Sequence, residues 1–302
     1  MLRAGRRGVK QLVNAASRLM IQGKMSDRRF VRVLFALGWF ALATHVRTEP
    51  QRPADQFVTV NGVRLHYLDW GGTGDVVVFL PGLGESVHRF DSFAPRFVDS
   101  FRVVGFTRRG QEMSGRSAAP FDLHALADDI RGFLDVMSIR RATIVGHSIA
   151  GAEMTMFAGL YPSRVDSLVY LDAAYDYARA YELAVAGGLA SGESEPEIAA
   201  IEHASRVHPD YARITAPALA FFVLYDKPYV GPQMSARAQQ QNSLAFRILD
   251  ESGYKRDQIE LFKREVKRGR VVEWHDTNHF FFQDPKHTDE TVRLIREFIL
   301  GR

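Results

Sequence analysis

The chain has 302 residues, 46% of them hydrophobic, and no cysteine. That length and composition suit one large domain with short additions, and the lack of thiols excludes a disulfide framework, a cysteine-based zinc site and a thiol nucleophile. The net charge of +4 sits at one end: the first 32 residues carry nine of the 39 Arg and Lys and one of the 35 acids, so the remainder is net negative by 4 and offers no broad face for nucleic acid.

That basic head, residues 1–50, contains the uncharged apolar run "VLFALGWFALA", Val33 to Ala43. Arg28, Arg29 and Arg32 precede the run, and Ala41-Leu42-Ala43 ends it with a small-x-small pattern. Positive flank, short apolar core and small exit residues together describe an export signal. The run falls short of the roughly 20 apolar residues of a spanning helix. Stretched to residues 30–46 it becomes an uncleaved membrane anchor if Arg32 snorkels. Export or anchoring of the domain that follows, residues 51–302, is the expectation. Initiation at Met25, an organelle-targeting role for the Arg-rich first 20 residues, and a cytoplasmic protein with a surface helix remain open.

Beyond Pro50 and Pro53, "FVTVNGVRLHYLDWGG" places Asn61-Gly62 between two β-rich runs and predicts a hairpin. "DVVVFLPGLGES" is a continuous apolar run stopped by Pro81-Gly82, as in a strand buried on both faces. "FRVVGFTRRG", "RATIVGHS", "VDSLVYLD" and "PALAFFVLYD" repeat the form. Between them, "DLHALADDIRGFLDVM" has helical spacing, with Leu123, Leu126, Ile130, Phe133, Leu134 and Met137 near one face. A last helix begins near Pro285. Buried strands alternating with amphipathic helices predict an α/β fold: a mostly parallel, twisted sheet of about eight strands with helices on both sides.

Ser148 lies in "VGHSIAG", after the buried run Ala142–Val145 and before a predicted helix over Ile149–Leu160. A serine between small residues in a strand-turn-helix fits a nucleophile elbow, whose tight turn leaves no room for large side chains two positions away. Gly146 meets that need. Ala150 stands where glycine is usual, adds only a methyl, and is followed at once by Gly151. The plainer reading of Ser148 is a helix N-cap.

A serine hydroxyl becomes a useful nucleophile when a base takes its proton and a third group orients that base. Near the C-terminus, "VVEWHDTNHFFFQDP" carries His275 and His279 beyond a β-run. His279 is the better base, because its loop is long enough to reach back over the sheet edge and three phenylalanines follow to pack it. For the acid, Asp226 ends "PALAFFVLYD"; Asp172, ending "VDSLVYLD", is the runner-up, and Asp176 and Asp276 are less well placed. Developing negative charge on an acyl oxygen needs backbone N–H donors. Ile149 N–H, directly after the serine, and Leu83 N–H, in the turn Pro81-Gly82-Leu83-Gly84, are the candidates.

With these segments in hand, residues from about Phe57 to Ile299 resemble the α/β-hydrolase fold family, in the serine esterase and lipase branch that includes pimeloyl-ester-type carboxylesterases. "VRLHYLDWG", "LPGLGES", "FTRRGQEMSG", "VGHSIAG", "PALAFFVLYD" and "NHFFFQDP" carry the resemblance. It implies a triad of Ser148, Asp226 and His279, an oxyanion hole at Leu83 and Ile149, and neither a metal nor an organic cofactor. Pro81-Gly82 replaces the usual His-Gly, Gln111-Glu112-Met113 replaces a glycine-containing stretch, and Gln283 stands where an acid often precedes Asp-Pro. A serine nucleophile argues against relatives that use aspartate. The implied activity is hydrolysis of a carboxylic ester with a small or medium acyl group. Lactone opening, amide cleavage and perhydrolysis share the triad, and a non-catalytic ligand-binding protein shares the fold.

The Ala-rich segment 173–215 breaks the strand-helix alternation where the family inserts a helical cap. Gly82, His147, Tyr175, Tyr177 and Phe280 are candidates to line the substrate pocket, although Tyr175, Tyr177 and Tyr181 suit internal packing of the cap as well. Residues 227–268 form a second long, mostly helical connection. Glu153, in the helix after Ser148, is an acid in an otherwise apolar stretch, with Arg108 or Arg109 as its expected partner.

Overall fold

The computed structural model describes residues 53–116, 121–189, 195–228, 230, 234–275 and 277–301. The signal-like or anchor-like segment expected within residues 1–50 lies outside them. No described helix is long and apolar enough to cross a membrane.

Asn61 and Gly62 close the first hairpin with positive φ at both positions, 49° and 79°. That pair of left-handed residues matches the right-handed twist of the strands it joins. The strands are β1 (Gln56–Val60) and β2 (Val63–Gly71), paired antiparallel. Each uninterrupted apolar run then forms a strand: β3 (Val76–Leu80), β4 (Arg102–Phe106), β5 (Ala142–His147), β6 (Val165–Leu171), β7 (Ala218–Val223) and β8 (Gly269–Trp274). They build one eight-stranded sheet in the order β1-β2-β4-β3-β5-β6-β7-β8. β2 meets β4 antiparallel, and every pairing from β4 to β8 is parallel.

The apolar runs lack alternation because both faces of the sheet are covered. In β3, Val78 and Leu80 enter a core shared with Ile130, Phe133, Met154, Phe157 and Phe262. Val77 and Phe79 point the other way, into a core with Phe90, Phe93, Phe97 and Ile295. Burying such a side chain contributes about 1.5–3 kcal/mol. The first face is covered by α1 (Leu123–Val136), α2 (Ala150–Leu160) and α6 (Tyr254–Glu265). The second takes α7 (Thr288–Ile299) and the short turns Val87–Phe90 and Ala94–Phe97. Asp122 caps α1 by accepting the Ala125 N–H at 2.7 Å.

Two connections depart from strand-helix alternation. Between β6 and β7 lie α3 (Tyr177–Ala186) and α4 (Pro196–Ala204). Ile201 of α4 is fully buried against Leu123, Leu126 and Ala152, with Leu83 and Tyr177 packed on the same cluster. This segment therefore rests on the starts of α1 and α2 and on the loop after β3. Between β7 and β8, α5 (Ala236–Phe246) continues through a π-helical turn, Arg247–Glu251, before α6.

Candidate active site

The turn between β5 and α2 holds Ser148 at φ +54°, a left-handed backbone that a non-glycine residue adopts only when its surroundings dictate it. The small residues around it have distinct jobs. A Cβ on Gly146 would stand 2.5 Å from Met154 Sδ, and one on Gly151 would stand 1.7 Å from the Ala173 carbonyl oxygen. Ala150 is buried at the first turn of α2, where its methyl is accommodated. The closest approach of helix and strand thus falls at position 151, one residue later than the usual motif places its glycine. The turn is secured from both sides: Ser148 N–H donates to Leu171 O at 3.2 Å, and the Tyr177 hydroxyl donates to Ser148 O at 2.5 Å.

His279 stands in the loop after β8, its side chain about one-third exposed, with Nδ1 2.6 Å from Asp172 Oδ2. Asp172 follows β6, the strand beside β5 in the sheet, and is itself at φ +49°. Its other oxygen, Oδ1, accepts the Val223 N–H at 3.0 Å and the Tyr175 hydroxyl. Burial works to raise the Asp172 carboxyl. The hydrogen bond and charge of His279, the Lys255 ammonium and the Tyr175 hydroxyl outweigh it and bring the group down to about 2. Burial and the adjacent Asp172 charge push the Tyr175 phenol well above its ordinary value, so it stays a donor. Asp172 is thus a fixed, ionised acceptor on Nδ1, and it leaves Nε2 as the nitrogen able to take a proton.

The expectation for Asp226 needs correction: the structure pairs His279 with Asp172. The strand β7 ends at Val223, and the chain beyond it is drawn toward α6. Tyr225 N–H donates to Asp250 Oδ1 at 3.3 Å, and Lys255 Nζ donates to Val223 O at 2.9 Å. Asp226 lines a separate cavity with Lys227, Thr277, Asn278 and Asp284. Asp172 needs no such loop, because it begins where β6 stops.

His147 bridges the elbow and the final loop. Fully buried, it donates from Nε2 to His279 O at 3.1 Å, and its ring lies 4.4 Å from the His279 ring and 5.1 Å from that of Phe280. Its Nδ1 faces Glu85 Oε2 at 3.3 Å. His279 is therefore tied to the elbow through the residue that precedes Ser148. Ser148 Oγ and His279 form no hydrogen bond among the described residues.

The loop after β3 is braced from beneath. Arg108 pairs with Glu153 in a buried bidentate contact, Nη2 to Oε1 at 2.6 Å and Nε to Oε2 at 2.9 Å. The same guanidinium donates to Pro81 O at 2.9 Å, Gly82 O at 3.2 Å and Gln111 Oε1 at 3.1 Å. Arg109 turns instead to Asp129. Above the loop, Gly82 N–H donates to Glu85 Oε2 at 3.1 Å. Burial works to raise Glu85, but His147, Arg89 and that N–H hold its carboxyl below the usual range. Gly82 N–H is committed, whereas the Leu83 and Ile149 N–H groups have no protein acceptor among the described residues.

A cleft of about 370 Å³ opens at His279, lined by Tyr225, Phe246, Leu249, Lys255, Asn278 and Phe280. Of the expected pocket residues, Phe280 faces this cleft. Tyr175 and Tyr177 line a smaller cavity of about 110 Å³ with Ala152, Met156 and Val207, and their hydroxyls brace Asp172 and Ser148. Gly82 and His147 are framework of the loop and the elbow. Tyr181 lies under the Arg206 guanidinium, 3.5 Å from its ring centre.

An eight-stranded, mostly parallel sheet with a strained serine at its central turn defines the α/β-hydrolase fold, and residues 75–195 match the sequence pattern of that fold family. The chain has the α/β-hydrolase fold, and the matched stretch covers 121 of its 302 residues. It is 31% identical over 121 residues to an uncharacterized protein of Mycobacterium tuberculosis, covering 40% of this chain and 35% of that one. It is 34% identical over 110 residues to a bifunctional esterase/perhydrolase of Acinetobacter calcoaceticus, covering 35% and 39%. The matched stretches span between about a third and two fifths of the length of these curated relatives. Among solved structures, a bacterial membrane phospholipase A superposes with a TM-score of 0.59 at 18% identity, over 91% of this chain and 99% of that one.

Proposed function

We propose that the protein is a serine hydrolase that cleaves a carboxylic ester of a small or medium acyl group through an acyl-enzyme. Ser148 is the nucleophile, His279 the general base and acid, and Asp172 the group that orients His279. His279 Nε2 takes the Ser148 proton as Oγ attacks the acyl carbonyl, and the imidazolium so formed is stabilised by the Asp172 carboxylate. The oxyanion is met by the Leu83 and Ile149 N–H groups, each such donor lowering the barrier by about 3–4 kcal/mol. His279 then protonates the leaving alcohol, and water, activated by the same imidazole, releases the acid. The Asp172–His279 contact of 2.6 Å beside a serine at positive φ carries this reading. The apolar lining of the cleft at His279 suits an acyl chain.

Hydrolysis of p-nitrophenyl butyrate and labelling by a fluorophosphonate test the proposal. The wild type should do both and Ser148→Ala neither; equal rates in the two proteins would reject it. Perhydrolysis, with hydrogen peroxide in place of water as the acyl acceptor, is the second reading, prompted by the similarity to the esterase/perhydrolase. Peracid formation from acetate and peroxide separates the two. Export or membrane attachment through residues 30–46 is proposed from the sequence pattern, and mass spectrometry of the mature N-terminus decides it.

A further inference from the structure

Outside the Ser148–His279–Asp172 group, side chains from three segments meet at one carboxylate oxygen. Asp55, just ahead of β1, places Oδ1 3.0 Å from Nε2 of His66 in β2 and 2.9 Å from Nε2 of His88 in the turn Val87–Phe90. The three atoms lie within 4.8 Å of one another. His66 is fully buried, His88 is about one-third exposed and Asp55 about half exposed.

Each imidazole is oriented by its other nitrogen. His66 Nδ1 contacts Thr107 Oγ1 at 2.9 Å, and His88 Nδ1 contacts Asp91 Oδ2 at 3.0 Å. A neutral imidazole has one N–H, and a carboxylate only accepts. His88 faces carboxylates with both nitrogens, Asp91 on one side and Asp55 on the other. One contact therefore sets a lone pair against an anion unless the ring is protonated or a bound cation supplies the missing charge. A carboxylate behind Nδ1 with Nε2 turned outward is also how metal-binding histidines are held.

We propose that Asp55 Oδ1, His66 Nε2 and His88 Nε2 bind one divalent transition metal ion of the zinc type. Two imidazoles with a single carboxylate favour zinc, cobalt or nickel over magnesium or calcium, which prefer all-oxygen sites. A tetrahedral ion with bonds of about 2.0–2.1 Å keeps its ligands about 3.3 Å apart, so the carboxylate withdraws by a few tenths of an ångström from each ring and the two Nε2 atoms, within 4.8 Å of each other, settle at the same spacing. The exposure of Asp55 leaves the fourth position open to water. The bound ion ties the chain entering β1 to β2 and to the turn that follows the Pro81–Glu85 loop. It takes no part in the ester chemistry, so the proposal stands or falls independently of the catalytic reading.

The test uses the full chain, stripped with chelator, and zinc chloride alone as titrant. Calorimetry should give one ion per chain, and cobalt should produce visible ligand-field absorption. Asp55→Asn and His88→Gln should each lose at least about tenfold in affinity, with the cobalt absorption lost, and Asp91→Asn should weaken binding by about 10–100-fold. His208→Ala, a surface histidine paired with Asp176, should bind as wild type. Melting in chelator shows whether the variants fold. If they do not, the wild type decides alone, since zinc must then raise its melting temperature at one equivalent. Absence of stoichiometric zinc binding in the wild type, or unchanged binding by folded Asp55→Asn and His88→Gln, would overturn the proposal.

Discussion

Replacing Asp172 by Asn separates charge from shape at the site. The asparagine Oδ1 can still accept from Val223 N–H and from the Tyr175 hydroxyl, so the turn after β6 keeps its anchors. Its amide, however, presents N–H to His279 Nδ1, where the carboxylate now accepts at 2.6 Å. That selects the tautomer with the proton on Nε2, which cannot receive one from Ser148. Loss of the right tautomer with geometry intact lowers kcat by about 10⁴-fold in a Ser-His-Asp site, or about 5.5 kcal/mol in the barrier. Asp226→Asn, which has no contact with His279 among the described residues, should leave the rate unchanged. Steady-state hydrolysis of p-nitrophenyl butyrate, normalised to active sites by a burst titration, measures both variants. Retention by folded Asp172→Asn of more than about a tenth of wild-type kcat, or an equal loss in Asp226→Asn, would refute the assignment.

Three further outcomes follow from the same geometry. Glu153→Ala leaves Arg108 charged and buried without its partner, and should cost about 3–5 kcal/mol in urea unfolding, whereas Arg108→Met with Glu153→Leu should recover much of that loss. Gly151→Ala drives a methyl into the Ala173 carbonyl, so soluble yield and melting temperature should fall sharply, while Ala150→Gly should cost no more than about 1 kcal/mol. Asp172 has an ordinary value of 3.8 when unfolded and about 2 when folded. Because the folded value is the lower one, its contribution to stability is complete above about pH 4 and disappears as pH falls through about 2. The stability gap between wild type and Asp172→Asn, read by denaturant unfolding, should therefore narrow across that window; a gap that widens on acidification would contradict the sign.

By itself the sequence determined the layered fold. Runs such as Val76–Leu80 and Ala142–His147 are apolar at every position, and a strand of that kind has to be covered on both faces, whatever its neighbours. Asn61-Gly62 prescribed its hairpin through positive φ alone, and Gly146, Gly151 and the loop position of His279 pointed to a serine elbow and its base because those demands are local. The carboxylate that meets His279 was a different matter. Asp172 and Asp226 both follow buried strands, and no local rule ranks them; the tertiary structure pairs His279 with Asp172, since β6 lies between β5 and β7 and ends without slack, while Asp250 and Lys255 draw the chain after β7 away. The pairing of Glu153 with Arg108 rather than Arg109, the committed Gly82 N–H, and the meeting of Asp55, His66 and His88 were likewise decided only there. Each joins residues far apart in the chain, and their contact depends on strand order and helix placement, which local spacing does not encode.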